Sequence, residues 1–406
     1  MATGCLSSKK VPDFKRLETF EGDWYHTASW PKEGVDFTGK RVAVVGTGST
    51  GIQAIPSIAR QAHHLTVFQR TPNFSVPANN APLDPAFEQE VKQNYRELRR
   101  KVRENPFGIR FETNEQSALD VAPEQRQREY ESRWQNGGFT FVGAYGDLLY
   151  NQQANDTAAE FVRSKIRATV HDPAVAELLC PKDYPIGTKR ICVDIEYYET
   201  FNRENVTLVD IRSAPIKEVT AKGIRTADAE YELDVIVFAI GFDAMTGALF
   251  DIDIRGKSGL PLRQAWADGP RTYLGLAIAG FPNLFIVTGP GSPSVLSNMV
   301  VSIEQHVDWI ADCLKYLREH EINRIECTRE AQDAWVEHVA EIANATLYPR
   351  ANSWYLGANV PGKPRVFMPY FGGVGPYRQK CDEVAAKQYE GFALDRSKAR
   401  LNELSG

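Results

Sequence analysis

An α/β fold built on a parallel sheet is what this sequence predicts, for three reasons. A continuous apolar run, Arg41-Val-Ala-Val-Val-Gly46, reads as a strand covered on both faces. Gly46-x-Gly48-x-x-Gly51 follows at once and opens a helical pattern through Ile52, Ala54, Ile55, Ile58 and Ala59. A second apolar run, Leu65-Thr-Val-Phe68, then closes a strand–helix–strand unit.

The rest of the chain extends this pattern. Residues 83–172 are dense in charge, with apolar positions at helical spacing such as Tyr95, Leu98 and Val102, and predict helices inserted between strands. Strands are expected again at 206–210, 216–219, 232–240 and 283–288. A helix over 297–320 carries an aliphatic stripe, Val300, Ile303, Val307, Ile310, Leu314 and Leu317, whose 3–4 spacing predicts a core-facing side. Another helix is expected over 331–345, and the last fifty residues are rich in aromatics, glycine and proline. At 406 residues the chain exceeds one ordinary core and predicts two or three domains.

Composition excludes several function classes. Hydrophobic residues make up 43% and charged residues 24%, a globular balance, and a net charge of -5 gives no footprint for nucleic acid or an anionic membrane. No apolar run reaches the ~18 residues of a membrane span. The first residues lack the charged and apolar regions of a signal peptide. The six cysteines include no CxxC pair, so reduced thiols in a cytoplasmic protein are expected, without disulfides or zinc. His63 and His64 have no third ligand at helical spacing, and no metal site is predicted.

The glycine motif gains weight from its context between strand and helix. Gly46 permits a tight turn, Gly48 lets the backbone approach a pyrophosphate, and Gly51 lets helix and strand pack closely. The helix N-terminus favours the phosphates. Gly46, Thr47, Gly48, Ser49, Gly51 and Gln53 are the candidate cofactor-binding residues here. The second strand ends in Gln69-Arg70-Thr71, without the acid that would bind a ribose 2′-hydroxyl. Arg70 suits a 2′-phosphate instead, which predicts NADPH over NADH.

Upstream lies Phe20-Glu-Gly22-Asp-Trp-Tyr-His26-Thr-Ala-Ser-Trp30-Pro31. It resembles in full the FxGxxxHxxxWP fingerprint of Baeyer–Villiger monooxygenases, carried here by Phe20, Gly22, His26, Trp30 and Pro31. Further stretches similar to that family are Phe68-Gln-Arg-Thr-Pro72, Gly187-Thr-Lys-Arg190, Tyr197-Tyr-Glu-Thr-Phe201, Gly289-Pro-Gly-Ser-Pro293 and Trp354-Tyr-x-Gly-Ala-Asn-Val-Pro-Gly-Lys363. The resemblance implies that Arg190 is the catalytic arginine beside the flavin. It further implies that Lys189 joins Arg70 and Thr71 around the 2′-phosphate, that Trp354 contacts the nicotinamide cofactor, and that His26 lies in a linker between two nucleotide domains.

The fold so implied is a two-dinucleotide-binding-domain flavoprotein: a Rossmann-like NADP domain with a helical insertion, plus the C-terminal part of an FAD domain. Its expected boundaries are 1–7 for a remnant of the first FAD half, 8–238 for linker and NADP domain with an insertion at about 81–190, and 239–406 for the returning FAD domain. The family's separate FAD pyrophosphate motif is expected to be missing from this chain. The implied reaction uses NADPH, FAD and O2 to place one oxygen atom next to a ketone carbonyl, giving an ester or lactone. It passes through an oxygen anion, which a permanently charged guanidinium stabilises without quenching it. The partners expected are therefore a small-molecule ketone and O2. Two alternatives fit the same motifs: an NADPH-binding but catalytically inactive fragment or half of a split enzyme, and an N- or S-oxidising flavoprotein, against which Trp30-Pro31 speaks.

Overall fold

The structure is a computed structural model that describes residues 1–110 and 112–396. Its strands are β1 (Asp23–His26), β2 (Arg41–Val45), β3 (His64–Gln69), β4 (Ser75–Pro77), β5 (Cys192–Asp194), β6 (Val206–Asp210), β7 (Ile216–Thr220), β8 (Gly223–Thr226), β9 (Glu230–Glu232), β10 (Val235–Phe238), β11 (Arg324–Cys327) and β12 (Phe392–Asp395). Its helices are α1 (Ser49–Ala59), α2 (Pro85–Gln93), α3 (Tyr95–Glu104), α4 (Pro123–Asn136), α5 (Gln152–Thr169), α6 (Pro173–Leu179), α7 (Tyr197–Thr200), α8 (Gly247–Phe250), α9 (Leu262–Ala265), α10 (Met299–Glu319), α11 (Arg329–Asn344) and α12 (Val374–Ala386). The chain divides into two compact units. A sheet unit comprises Lys9–Pro82 and Glu112–Phe242; a helical unit comprises Met1–Ser8, Leu83–Phe111 and Asp243–Gly406.

The sheet unit is built on five parallel strands in the order β1-β10-β2-β3-β6. The unbroken apolar run of β2 has its explanation here. Ala43, Val45, Phe68, Ile236 and Phe238 pack on one face with Val219, Ile224 and Leu233 of the β7–β8–β9 region. The alternate residues Val42, Val44, Leu65 and Val67 are fully buried on the side where α1 packs with Ile52 and Ile55. Both faces are covered, so alternation is absent. A small parallel pair, β4 with β5, holds Ser75 opposite Cys192.

The linker expected around His26 is partly sheet. β1 is an edge strand that pairs with β10 in the register Asp23↔Val235 to His26↔Phe238. The fingerprint builds this edge. Phe20 is buried in the sheet core, and a Cβ on Gly22 would fall 2.4 Å from the Asp234 carbonyl and 2.7 Å from the Phe20 ring. Trp30 packs against Tyr25 and Phe37. His26 is buried, and its Nδ1 accepts from the Ala28 amide at 3.0 Å, which puts the ring proton on Nε2. Burial and then Lys9 lower its pKa, opposed by the Lys10 backbone.

Three expectations need correction. The insertion at about 81–190 is not one body: α2 and α3 belong to the helical unit, whereas α4, α5 and α6 belong to the sheet unit. α3 is drawn away because it packs on α12 and Arg99 pairs with Glu304 of α10 at 2.6 Å. Residues 283–288 form no strand. Asn283 and Thr288 both take positive φ, 57° and 55°, so the extended run between them is too short for a ladder. The aliphatic stripe of α10 faces the core only in part: Leu317 is buried and Ile310 packs against the core, but Val300 is 63% and Val307 48% exposed, and Ile303 and Leu314 are exposed too. The buried face is Ser302, Gln305, His306, Trp309, Cys313 and Leu317. The aromatic residues there place their polar atoms on partners, although Gln305 Oε1 is buried without one. His306 Nδ1 accepts from the Thr288 amide at 2.9 Å, its Nε2 meets the Tyr377 hydroxyl at 3.0 Å, and Trp309 Nε1 donates to the Cys381 carbonyl at 2.9 Å. Aromatic volume with satisfied hydrogen bonds outweighs aliphatic count in choosing the face.

Among the described residues no helix is long and apolar enough to cross a membrane. No cluster of three His, Cys, Asp or Glu there suits a metal.

Candidate functional site

The three motif glycines separate into two kinds. Gly46 has φ 107°, and a Cβ there would lie 2.6 Å from the Ala239 carbonyl. A Cβ on Gly51 would lie 2.2 Å from the Gly46 carbonyl. Packing alone demands glycine at both. At Gly48 a Cβ would meet nothing within 4 Å. The space beside Gly48 is open, and it lies at the N-cap of α1, where no side chain caps the helix. Free amides and the positive end of the helix dipole therefore face that space.

Other motif residues hold the turn in place. Thr47 is buried, and its hydroxyl donates to the Thr71 carbonyl at 3.1 Å. Asn73 Nδ2 donates to the Thr47 carbonyl at 2.6 Å. Gln53 Nε2 donates to the Val193 carbonyl at 3.3 Å, fastening α1 to β5. Ser49 is exposed, and its hydroxyl hydrogen-bonds the Cys192 thiol, whose pKa burial pushes up to about 12. A thiol so protonated is no nucleophile.

The β4–β5 register brings the second group of candidates alongside. The Cys192 amide donates to the Phe74 carbonyl at 3.0 Å, so residues 189–190 run beside 72–73. Tyr184 ties the same segments: its hydroxyl donates to the Pro72 carbonyl at 3.1 Å, and Lys189 Nζ lies 4.3 Å from its ring centroid. The Lys189 pKa is lowered to about 8, first by burial, then by Arg70 and Arg212, against Asp183, which raises it. Burial and two neighbouring cations outweigh the one carboxylate acting on this lysine. Arg190 is exposed, its guanidinium 5.1 Å from the Phe139 ring centroid, and it forms no ion pair among the described residues.

Sequence reasoning missed Asn73, Tyr184 and Arg212. A signal for Arg212 existed: β6 pairs with β3 in the register Gln69↔Asp210, so Arg70 and Arg212 both emerge just past adjacent strand ends. Trp354 belongs to the helical unit, half-buried, its ring 4.3 Å from that of Tyr355, whereas the other candidates above belong to the sheet unit.

No family model matches the chain. Whole-protein comparisons do find relatives. The Baeyer–Villiger monooxygenase of Pseudooceanicola batsensis is 43% identical over 401 residues, covering 98% of this chain and 73% of that protein. A solved structure of oxidized steroid monooxygenase bound to NADP is 54% identical with a TM-score of 0.92, covering 97% of this chain and 74% of that one. The crystal structure of OTEMO in complex with FAD and NADP is 42% identical with a TM-score of 0.94, over the same shares of both chains. These identities and extents go beyond a shared fold, and the chain belongs to the Baeyer–Villiger monooxygenase family of NADPH-dependent flavoprotein monooxygenases.

Proposed function

We propose that this chain binds NADPH at the β2–α1 turn and, with FAD, inserts one oxygen atom of O2 next to a ketone carbonyl, giving an ester or lactone. The carrying observation is the gathering of Arg70, Lys189 and Arg212 past the ends of β3 and β6, next to a glycine turn with open space at Gly48. The residues present fit the cofactor. Gly48 leaves room for a pyrophosphate against the α1 amides, and the cations answer a 2′-phosphate, with Thr71 beside them. Trp354 is the nicotinamide contact in this reading.

FAD, when bound, would supply the redox chemistry of the reaction. The sequence carries a single Gly-x-Gly-x-x-Gly, which NADPH accounts for, and no residue here is assigned to the flavin. Arg190 meets the anion that attacks the ketone. It forms no ion pair among the described residues that would neutralise it. Phe139 buttresses it by a cation–π contact. A cytoplasmic setting belongs to the same reading and is supported by six free, buried cysteines.

Isothermal titration of the wild type and of Arg70→Ala and Lys189→Ala with NADPH and NADH tests the site. The wild type is expected to prefer NADPH by at least about tenfold, the worth of one charge-assisted contact, and each variant to lose that preference while keeping NADH affinity. Equal affinity of the wild type for both nucleotides would overturn the assignment.

A further inference from the structure

Arg212 lies outside every motif of the sequence, yet its side chain is built into the NADPH site. Its backbone is set by the end of β6: the Ile211 amide donates to the Gln69 carbonyl at 2.9 Å, and the Arg212 amide donates to Asp210 Oδ1 at 2.9 Å. From there Nε donates to the Arg70 carbonyl at 3.2 Å, and Nη2 donates to Asp183 Oδ2 at 2.5 Å. Of the five N–H donors of a guanidinium, three then remain without a partner among the described residues.

Charge makes the case sharper. Arg70 and Arg212 both act on Lys189, and Asp183 is the one carboxylate acting on it. With Asp210 also beside Arg212, three cations face two acids and positive charge remains in excess. A phosphomonoester near neutral pH carries about -1.5 to -2. A nicotinamide dinucleotide without the 2′-phosphate offers nothing of that kind at this position.

We propose that Arg212 is a specificity-determining residue for the 2′-phosphate, held in place by Asp183 in the free protein and shared with the phosphate on binding. This rests on the NADPH reading of the turn. It assigns to Arg212 a role distinct from that of Arg70: it fixes the Arg70 backbone through the carbonyl and adds a second fork of donors. Asp183 acts as a counter-ion that competes with the phosphate. Its side chain is 55% exposed and that of Arg212 51%, so the pair is loose enough to exchange.

The test is titration of the full chain with 2′,5′-ADP and ADP, and with NADPH and NADH, for Arg212→Leu, Arg212→Lys and Asp183→Asn. None of these needs turnover. Arg212→Leu is expected to weaken 2′,5′-ADP and NADPH by about tenfold, the worth of one charge-assisted contact, and to leave ADP and NADH unchanged. Arg212→Lys should restore part of that loss. Asp183→Asn should tighten the 2′-phosphorylated ligands, most clearly at low salt. Equal weakening of both nucleotide pairs would reduce Arg212 to a loop support and overturn the proposal, as would no change at all. If the wild type itself fails to discriminate, the NADPH reading falls; if the wild type discriminates, Arg70→Ala loses that preference and Arg212→Leu does not matter, only this inference falls.

Discussion

Lys363 donates to Asp243 Oδ1 at 2.5 Å and to the Ala244 carbonyl at 2.7 Å, joining the end of the Trp354–Lys363 stretch to the point where the chain returns after β10. The Lys363 side chain is 9% exposed. Gly357 lies against it, since a Cβ there would sit 3.1 Å from Lys363 Cγ. The lysine therefore clamps the loop that carries Trp354. Lys363→Met should lower stability by about 1–3 kcal/mol by leaving the Asp243 carboxylate and the Ala244 carbonyl without their donor. Thermal melting reads this as a drop of about 2–4 °C per kcal/mol. Lys363→Met with Asp243→Asn should recover part of it, and additive losses would show that the pair is not coupled.

The glycines of the turn should divide by substitution as they divide by geometry. Gly51→Ala places a methyl 2.2 Å from the Gly46 carbonyl and should destabilise the fold. Gly48→Ala meets no protein atom within 4 Å, so its melting temperature should stay near that of the wild type while NADPH affinity falls. Melting curves and titrations on the two variants check this. A Gly48→Ala protein with full NADPH affinity would show that the open space is not the pyrophosphate seat.

Lys189 predicts a pH dependence. Its pKa in the free site is about 8, below the ordinary lysine value, because of burial and then Arg70. Bound phosphate raises it. Below pH 8 the ammonium is present in both states and affinity is full. Above it, binding must take up a proton, so NADPH affinity falls by up to about tenfold per pH unit until the pKa of the complex is reached. NADH should show no such fall. Titrations at rising pH in buffers of different ionisation enthalpy measure the affinity and the proton uptake together.

The legible parts of the sequence were those where one local rule decides. The β2–α1–β3 unit follows from apolar run, glycine spacing and helical period, and Arg70 follows from its place after a strand. The rest depended on contacts distant in sequence. Aliphatic spacing misplaced the buried face of α10, because His306 and Trp309 reach hydrogen-bond partners at Tyr377 and Cys381 that no local pattern reveals. Residues 283–288 read as a strand, yet left-handed turns at Asn283 and Thr288 close it off. Arg212 went unnoticed because it becomes part of the site only through the β3–β6 register. Lys189 and Arg190 came from resemblance alone, and their place beside residues 72–73 is set by the Ser75↔Cys192 pairing.

The central claim is that this chain oxygenates ketones at the expense of NADPH, with Arg190 facing the anion. The most direct measurement is product analysis by mass spectrometry after incubation with FAD, NADPH, isotopically labelled O2 and a panel of cyclic and aryl ketones, for the wild type and Arg190→Ala. The account predicts an ester or lactone carrying one labelled oxygen from the wild type. It predicts a loss of about 10²–10³-fold in ester formation for Arg190→Ala, as for removal of a preorganised oxyanion donor, with NADPH affinity unchanged. Ester formation by Arg190→Ala at the wild-type rate, or an ester without label, would contradict it.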